Sequence, residues 1–310
     1  MTDDRKTHLD ARAITLLVGC CAIWGANQVS VKVALHELPP LLQAGLRSLG
    51  AAALLVLWSR LRGLRLFEAD GTGRAGVLAG SLFAAEFGCY FTGLQFTSAS
   101  RMVVFLYLSP FVVALGMPFI ARSERLRPLQ GVGLVLAFSG VLWAFAEGFT
   151  HFAAAPRQWL GDALGLAGAV LWGLTTLVLR GSRLSTAQPE KTLLYQLALS
   201  GLVLTAASVW RGEPWPAQPS ALALGSLAFQ VGVVSFASYL VWFWLVRHYP
   251  ATRLAAFTLL TPVFGLLAGV LLLGEPITAR LLVALAAVCT GLVVVNRPAP
   301  RPVAAARAVT

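Results

Sequence analysis

The sequence is poor in charge. Lysine and arginine number 24, aspartate and glutamate only 13, and charged residues make up 12% of the chain, against roughly 25% in an ordinary soluble domain. With 57% hydrophobic residues and a mean hydropathy of +0.75, the chain falls in the membrane class, because no soluble fold of this size hides so much apolar surface. Histidine is scarce as well: His8, His36, His151 and His248 all lie in terminal or loop segments. The four cysteines, Cys20, Cys21, Cys89 and Cys289, sit inside apolar runs without metal-ligand spacing and read as small buried hydrophobes. No aspartate stands at mid-membrane depth, and no Walker-type glycine loop is written. An intramembrane hydrolase would need a nucleophile with a base, or a metal cluster. A channel would need a ring of like charge or a carbonyl filter. Neither pattern is visible, so no enzyme, metal or cofactor is expected, and direct coupling to ATP is disfavoured.

The net charge of +11 would raise the question of nucleic acid in a soluble protein. Here it has a simpler source, since basic residues gather in the cytoplasmic loops of membrane proteins. The partners expected are a lipid bilayer and a small-molecule substrate, not a nucleic acid. The first twelve residues are polar, and the first apolar run is long enough to span, so no cleavable signal peptide is expected.

A membrane helix needs roughly 20 mainly apolar residues. Ten segments qualify: 13–35, 39–60, 75–96, 99–120, 128–147, 159–180, 191–210, 221–246, 251–273 and 277–296. Short links marked by proline or glycine join many of them, such as LPP at 38–40 and GEP at 274–276. With the N-terminus in the cytoplasm, 18 basic residues fall on inner segments and 5 on outer ones, the latter being Lys32, Arg101, Arg157, Arg211 and Arg280. This is the positive-inside pattern. Missing one span would scramble it, so both termini are expected in the cytoplasm.

Residues 99–111 read ASRMVVFLYLSPF, and residues 251–263 read ATRLAAFTLLTPV. Ala99, Arg101, Phe105 and Pro110 recur 152 residues later as Ala251, Arg253, Phe257 and Pro262. Glu124 and Gly140 recur as Glu275 and Gly291, Trp24-Gly25 as Trp172-Gly173, and Lys32 as Arg180. The first five spans therefore match the last five in order. Five is odd, so two such halves in series lie in opposite orientations. That is an inverted-topology repeat, a signature of secondary transporters with a site near mid-bilayer. The expected organisation is an all-α polytopic protein with a cytoplasmic tail (1–12), a first five-helix repeat (13–147), an external linker (148–158), a second five-helix repeat (159–296) and a cytoplasmic tail (297–310). Pro110 and Pro262 each lie about 17 Å into a span at 1.5 Å per residue. They read as helix hinges or cavity-lining breaks, the alternative being passive kinks.

Arg47 and Glu86 are the ionisable side chains deep inside spans. A charge there costs about 2.5–3.5 kcal/mol on insertion scales and marks a functional candidate. Both sit roughly 12–13 Å below the outer surface. Their counterparts in the second half are Leu199 and Ser238, so both charges are missing together. They read as a buried ion pair, either locking the second span to the third or handling substrate or protons. Polar and aromatic residues at mid-depth are candidates for a central substrate cavity: Trp24, Asn27, Gln28, Tyr90, Tyr107, Trp172, Thr175, Gln230, Ser235, Tyr239 and Trp242. Rings with polar edges suit amphiphilic or aromatic substrates, although some of these residues will only join helices. Trp58, Trp143, Trp159 and Trp210 lie near span ends and read as interfacial anchors.

These stretches carry a resemblance. WGANQVSVKVAL (24–35), LLQAGLRSLGAAALLVL (41–57), GLQFTSASRMVVFLYLSPFVVALG (93–116), SERLRPLQGVGLVLAFSGV (123–141) and ATRLAAFTLLTPVFGLLAGVLLLGEPIT (251–278) resemble the EamA-type members of the drug/metabolite transporter superfamily. Among them the chain looks most like the YddG-type bacterial exporters of aromatic amino acids and related compounds. The resemblance implies a bacterial inner-membrane secondary transporter that exports small amphiphilic metabolites, aromatic or apolar amino acids foremost, by alternating access. It leaves open a drug or other metabolite as substrate. It also implies that spans 1–4 and 6–9 surround the cavity while spans 5 and 10 lie at the periphery.

Overall fold

A computed structural model describes residues 10–120, 128–150, 156–249, 254, 258 and 260–295. The described residues form helices and turns with no strand. In chain order the helices are α1 (Ala11–Ala34), α2 (Pro40–Leu61), α3 (Gly73–Gly93), α4 (Ala99–Leu106), α5 (Ser109–Ile120), α6 (Pro128–Thr150), α7 (Gln158–Gly181), α8 (Pro189–Trp210), α9 (Ala221–Ala228), α10 (Tyr239–His248), α11 (Leu260–Leu273) and α12 (Ala279–Val295). A π-helical stretch, Phe229–Ser238, joins α9 to α10 without a break. Seven stretches are long and apolar enough to cross a membrane, counting α4 with α5 as one and α9 through Trp242 as another. Three shorter apolar stretches, Gly131–Ala144, Leu260–Leu273 and Ala279–Gly291, complete the expected order. Ala251, Arg253, Phe257 and Glu124, which helped to reveal the repeat, lie outside the described residues, as do His8 and His151.

The main contacts between the two halves are preserved when the halves are exchanged. α1 packs on α11, and its counterpart α7 packs on α4 and α5, the counterparts of α11. α3 packs on α7, and α1 packs on α9 and the π stretch. α2 meets α8, and α6 meets α12, each pair mapping onto itself. A repeat seen only as matched letters is thus also a repeat of contacts, as an internal two-fold requires. Helix endings repeat as well. Gly63 and Gly212 follow α2 and α8 at φ +67° and +66°, and each begins a closing turn in which the next residue's N–H reaches five residues back, Leu64 to Ser59 and Glu213 to Ser208.

The repeated glycines sit where helices touch. A Cβ on Gly25 would lie 2.6 Å from the backbone nitrogen of Gly265, and one on Gly173 would lie 2.6 Å from Val112 Cβ. These are the equivalent crossings, α1 on α11 and α7 on α5. Small residues let membrane helices approach this closely. Gly25→Ala is expected to destabilise the protein by about 1–3 kcal/mol through overpacking, read as a lower thermal midpoint in detergent, with Gly173→Ala a comparable defect.

The prolines mark helix restarts. α4 ends at Leu106 and α5 begins at Ser109, with Pro110 as its second residue. Leu108 and Phe111 donate to carbonyls only three residues back, Phe105 and Leu108, the tight turn expected beside a proline that offers no N–H. Pro262 is the third residue of α11, and Thr261 likewise donates to Thr258.

Polar links divide into two sets that agree with the expected alternation of loops. Segments assigned to one side bond to one another: Lys32 and Thr97 with Glu275 and Asp162, Glu37 with Ser220, and Glu213 with the Leu41 and Leu42 amides. Segments assigned to the other side do the same: Asp10 with Tyr249, and Lys191 with Asp70 and the Glu68 carbonyl. On that second side Lys191 and Thr72 hold the Asp70 carboxyl well below the usual carboxylate range. The contribution of a carboxylate so lowered is lost only as pH falls far below about 4, the ordinary value.

Candidate functional site

A polar and aromatic cluster occupies the meeting point of α1, α2, α3 and the π stretch. The π winding builds part of it. Hydrogen bonds that reach five residues along widen the turn, and the buried residues of this stretch are Gln230, Val234, Ser235 and Ser238. Sequence reading found Gln230 and Ser235 but neither Ser238 nor the winding, because the stretch is apolar on most sides and gives no period to read.

Arg47 of α2 is 2% exposed. Its Nε donates to Ser235 Oγ at 2.7 Å, and its guanidinium lies over the ring of Phe87, 4.4 Å from the centroid. Glu86 of α3 is 7% exposed. The direct ion pair expected from their equal depths is not formed: among the described residues no contact within 4.0 Å joins Arg47 to Glu86. Depth along two helices does not fix the direction in which each side chain leaves its axis, and here Arg47 turns to the π stretch and the Phe87 face. Glu86 Oε2 and Arg47 Nη1 are both buried without a hydrogen-bond partner.

Around these charges the expected cavity residues come together. Tyr90, one helical turn from Glu86 and on the same face, donates to Gln28 Oε1 and accepts from Asn27 Nδ2. Asn27 Oδ1 is left unpartnered. Tyr90 and Tyr239 both lie within electrostatic reach of Arg47 and Glu86. Trp24 donates from Nε1 to Ser238 Oγ at 2.8 Å. Its ring stands edge-on to Tyr239 at 6.5 Å and to Trp242 at 5.6 Å. Gln230 is joined to Gln43 and Ser30, linking α1, α2 and the π stretch.

The remaining candidates come from the α4–α5 break and α7, and Tyr107 lies within electrostatic reach of Tyr239. Tyr107, in the break between α4 and α5, stands edge-on to Trp172 at 6.2 Å. Thr175 gives its hydroxyl to the Leu171 carbonyl of its own helix, a local bond that does not commit it to a ligand. No group of three metal-ligating side chains occurs among the described residues.

Two features on one side of the cluster escaped sequence reading. The first is Arg101 with Asp162, which are 5% and 0% exposed. Arg101 Nη2 meets Asp162 Oδ2 at 2.6 Å and also donates to the Ala144 carbonyl, and Thr97 donates to Asp162 Oδ1. The second is Glu275, which the repeat had flagged only as the match to Glu124. Its carboxylate takes the Ala99 amide at 2.7 Å, the Ser100 amide at 3.0 Å and the Ser100 hydroxyl at 2.7 Å, and pairs with Lys32 at 3.4 Å. It lies at the start of α4, where orphan N–H groups and the helix dipole favour an anion. Gly269 leaves the room it needs, since a Cβ there would come within 2.5 Å of Glu275 Oε2. Together these contacts tie the ends of α1, α4, α6, α7 and α11.

Comparison with known proteins bears on this geometry. The model of the EamA-like transporter family matches the chain twice, over residues 11–146 and 159–297. The chain is 29% identical over 300 residues to the uncharacterized transporter YvbV of Bacillus subtilis, covering 95% of each chain. It is 27% identical to the uncharacterized inner membrane transporter YedA of Escherichia coli, over 88% of this chain and 87% of that one. A probable amino-acid metabolite efflux pump of Salmonella typhimurium is 26% identical, over 87% of this chain and 90% of its own length. One solved crystal structure superposes with a TM-score of 0.63 at 22% identity, over 92% of this chain and 98% of that chain, which shows a shared fold.

Proposed function

The chain belongs to the EamA-like transporter family, and from its central cluster we propose that it exports small amphiphilic metabolites, amino acids with aromatic or apolar side chains foremost. It is a multi-pass membrane transporter, and its relatives carry the names of transporters and efflux pumps, not enzymes. The observation that carries the reading is a cluster that joins the buried Arg47 and Glu86 to the half-buried, edge-on rings of Trp24, Tyr239 and Trp242. A molecule with a polar head and a flat apolar body fits such a site. The efflux pump of Salmonella typhimurium supports an amino-acid metabolite as cargo.

Transport proceeds by alternating access between the two halves, in a bacterial inner membrane, with both termini in the cytoplasm. The symmetric packing supports this, since exchange of the roles of two equivalent halves exchanges the open side. The ties at Glu275 and Asp162, which join helix ends on the expected external side, support a state closed on that side.

Proteoliposomes given a panel of labelled amino acids and metabolites test the substrate. Aromatic and apolar amino acids are expected to move, and an empty result across the panel overturns the assignment. Single cysteines placed at Gln95 and at Ala69, both exposed, test the topology in cells. The first is expected to react with an impermeant maleimide from outside and the second only after permeabilisation; the reverse pattern overturns the orientation.

A further inference from the structure

Among the buried polar atoms without partners, three belong to residues that bond Tyr90 or lie within electrostatic reach of it: Arg47 Nη1, Glu86 Oε2 and Asn27 Oδ1. Their residues are 2%, 7% and 7% exposed. An unsatisfied buried polar group costs about 1–3 kcal/mol, more when charged, and three in one neighbourhood are unusual in a native interior. They are connected. Asn27 bonds Tyr90, and Tyr90 lies within electrostatic reach of both charges. One of the three atoms is a guanidinium donor, one a carboxyl oxygen and one an amide oxygen.

We propose that these three groups hold the head of a zwitterion, with Arg47 on its carboxylate and Glu86 and Asn27 Oδ1 on its ammonium. This rests on the transport reading and names the recognition chemistry of the same site. The complement is direct. A carboxylate needs donors, and Arg47 has one unpaired while its Nε is anchored on Ser235 and its plane is held over Phe87. An ammonium needs acceptors, and Glu86 and Asn27 each offer one. A ligand with both charges satisfies all three groups, whereas a ligand with one leaves a buried charge unmatched. The distribution over the repeats agrees. The second half carries Leu199 and Ser238 where the first carries Arg47 and Glu86, so a single headgroup site exists, and the second half supplies rings instead, Tyr239 and Trp242. The cargo is thereby held in one orientation.

The test compares phenylalanine with 2-phenylethylamine and 3-phenylpropionate, which keep the ring and drop one charge each. Two readouts are used: competition against labelled phenylalanine in proteoliposomes, and ligand-induced thermal stabilisation of the purified protein. In the native protein each analogue is expected to bind at least about tenfold more weakly than phenylalanine. In Glu86→Gln the advantage of phenylalanine over phenylpropionate should collapse while its advantage over phenylethylamine persists. Arg47→Gln should do the converse. If Arg47→Gln fails to fold, Arg47→Lys keeps the charge without the fork and should retain a reduced preference for the carboxylate. Equal binding of all three compounds, or ratios that do not respond to either variant, overturns the assignment. Failure of transport alone, with binding selectivity intact, overturns the choice of cargo but not the headgroup site.

Discussion

Replacing Asp162 by alanine is expected to lower stability by about 3–5 kcal/mol, because it strands the Arg101 guanidinium in the interior without its counter-ion. Both residues are almost fully enclosed, so solvent does little to screen the loss. The double replacement Arg101→Leu with Asp162→Leu is expected to recover most of it, since removing a buried pair together is close to neutral. The measurement is thermal unfolding of purified protein for the two single variants and the double. If the single variants match the native protein, the pair does not hold α4 to α7. If the double is no better than the sum of the singles, other contacts of Asp162, such as the Thr97 hydroxyl, dominate.

Removing the Glu275 carboxylate is expected to have the larger effect on conformation. Glu275→Ala leaves the Ala99 and Ser100 amides of α4 without their acceptor and Lys32 without its counter-ion. A loss of about 2 kcal/mol from the closed arrangement alone would shift the ratio of closed to open molecules roughly thirtyfold. Val103 is fully buried against Gly265 in the present state. In a background lacking the four native cysteines, Val103→Cys should react faster with an impermeant maleimide once Glu275 is replaced. Glu275→Gln keeps acceptor capacity without charge and should fall between. An unchanged labelling rate would mean that the carboxylate caps α4 without governing access.

Much of the architecture was legible because the bilayer imposes length. Ten apolar stretches, their order and the paired glycines and prolines follow from spacing alone, and each pair now has a physical reason: close crossings at Gly25 and Gly173, helix restarts at Pro110 and Pro262. The site was legible by depth and illegible by direction. Trp24, Tyr90, Tyr239 and Trp242 were singled out because polar edges on mid-span rings are conspicuous, and the structure brings Trp24, Tyr239 and Trp242 together. The Arg47–Glu86 contact was misjudged because helices that are apolar nearly all round carry little amphipathic signal from which to read a side chain's bearing. Asp162 was passed over for a related reason. It lies only a few residues inside α7, a depth that suits an interfacial charge, and nothing in the linear sequence shows that Arg101 of α4 reaches it. The role of Glu275 needed the fold outright, since its amide partners precede it by 175 and 176 residues.

The exchange symmetry of the packing has a consequence for how the molecule is made. Nearly every close helix pair joins one helix from each half: α1 with α11, α2 with α8, α3 with α7, α6 with α12. The first half has few neighbours of its own, chiefly α2 with α3 and α1 with α4. A nascent chain that has inserted its first five spans therefore holds them in the membrane largely unpacked. The start of α4 has only its local Ser98 cap until the ribosome delivers Glu275 near the end of synthesis. Assembly is a late event that zips two interleaved halves together, and a chain cut short before its last spans offers quality-control proteases a set of loose helices and not a finished half.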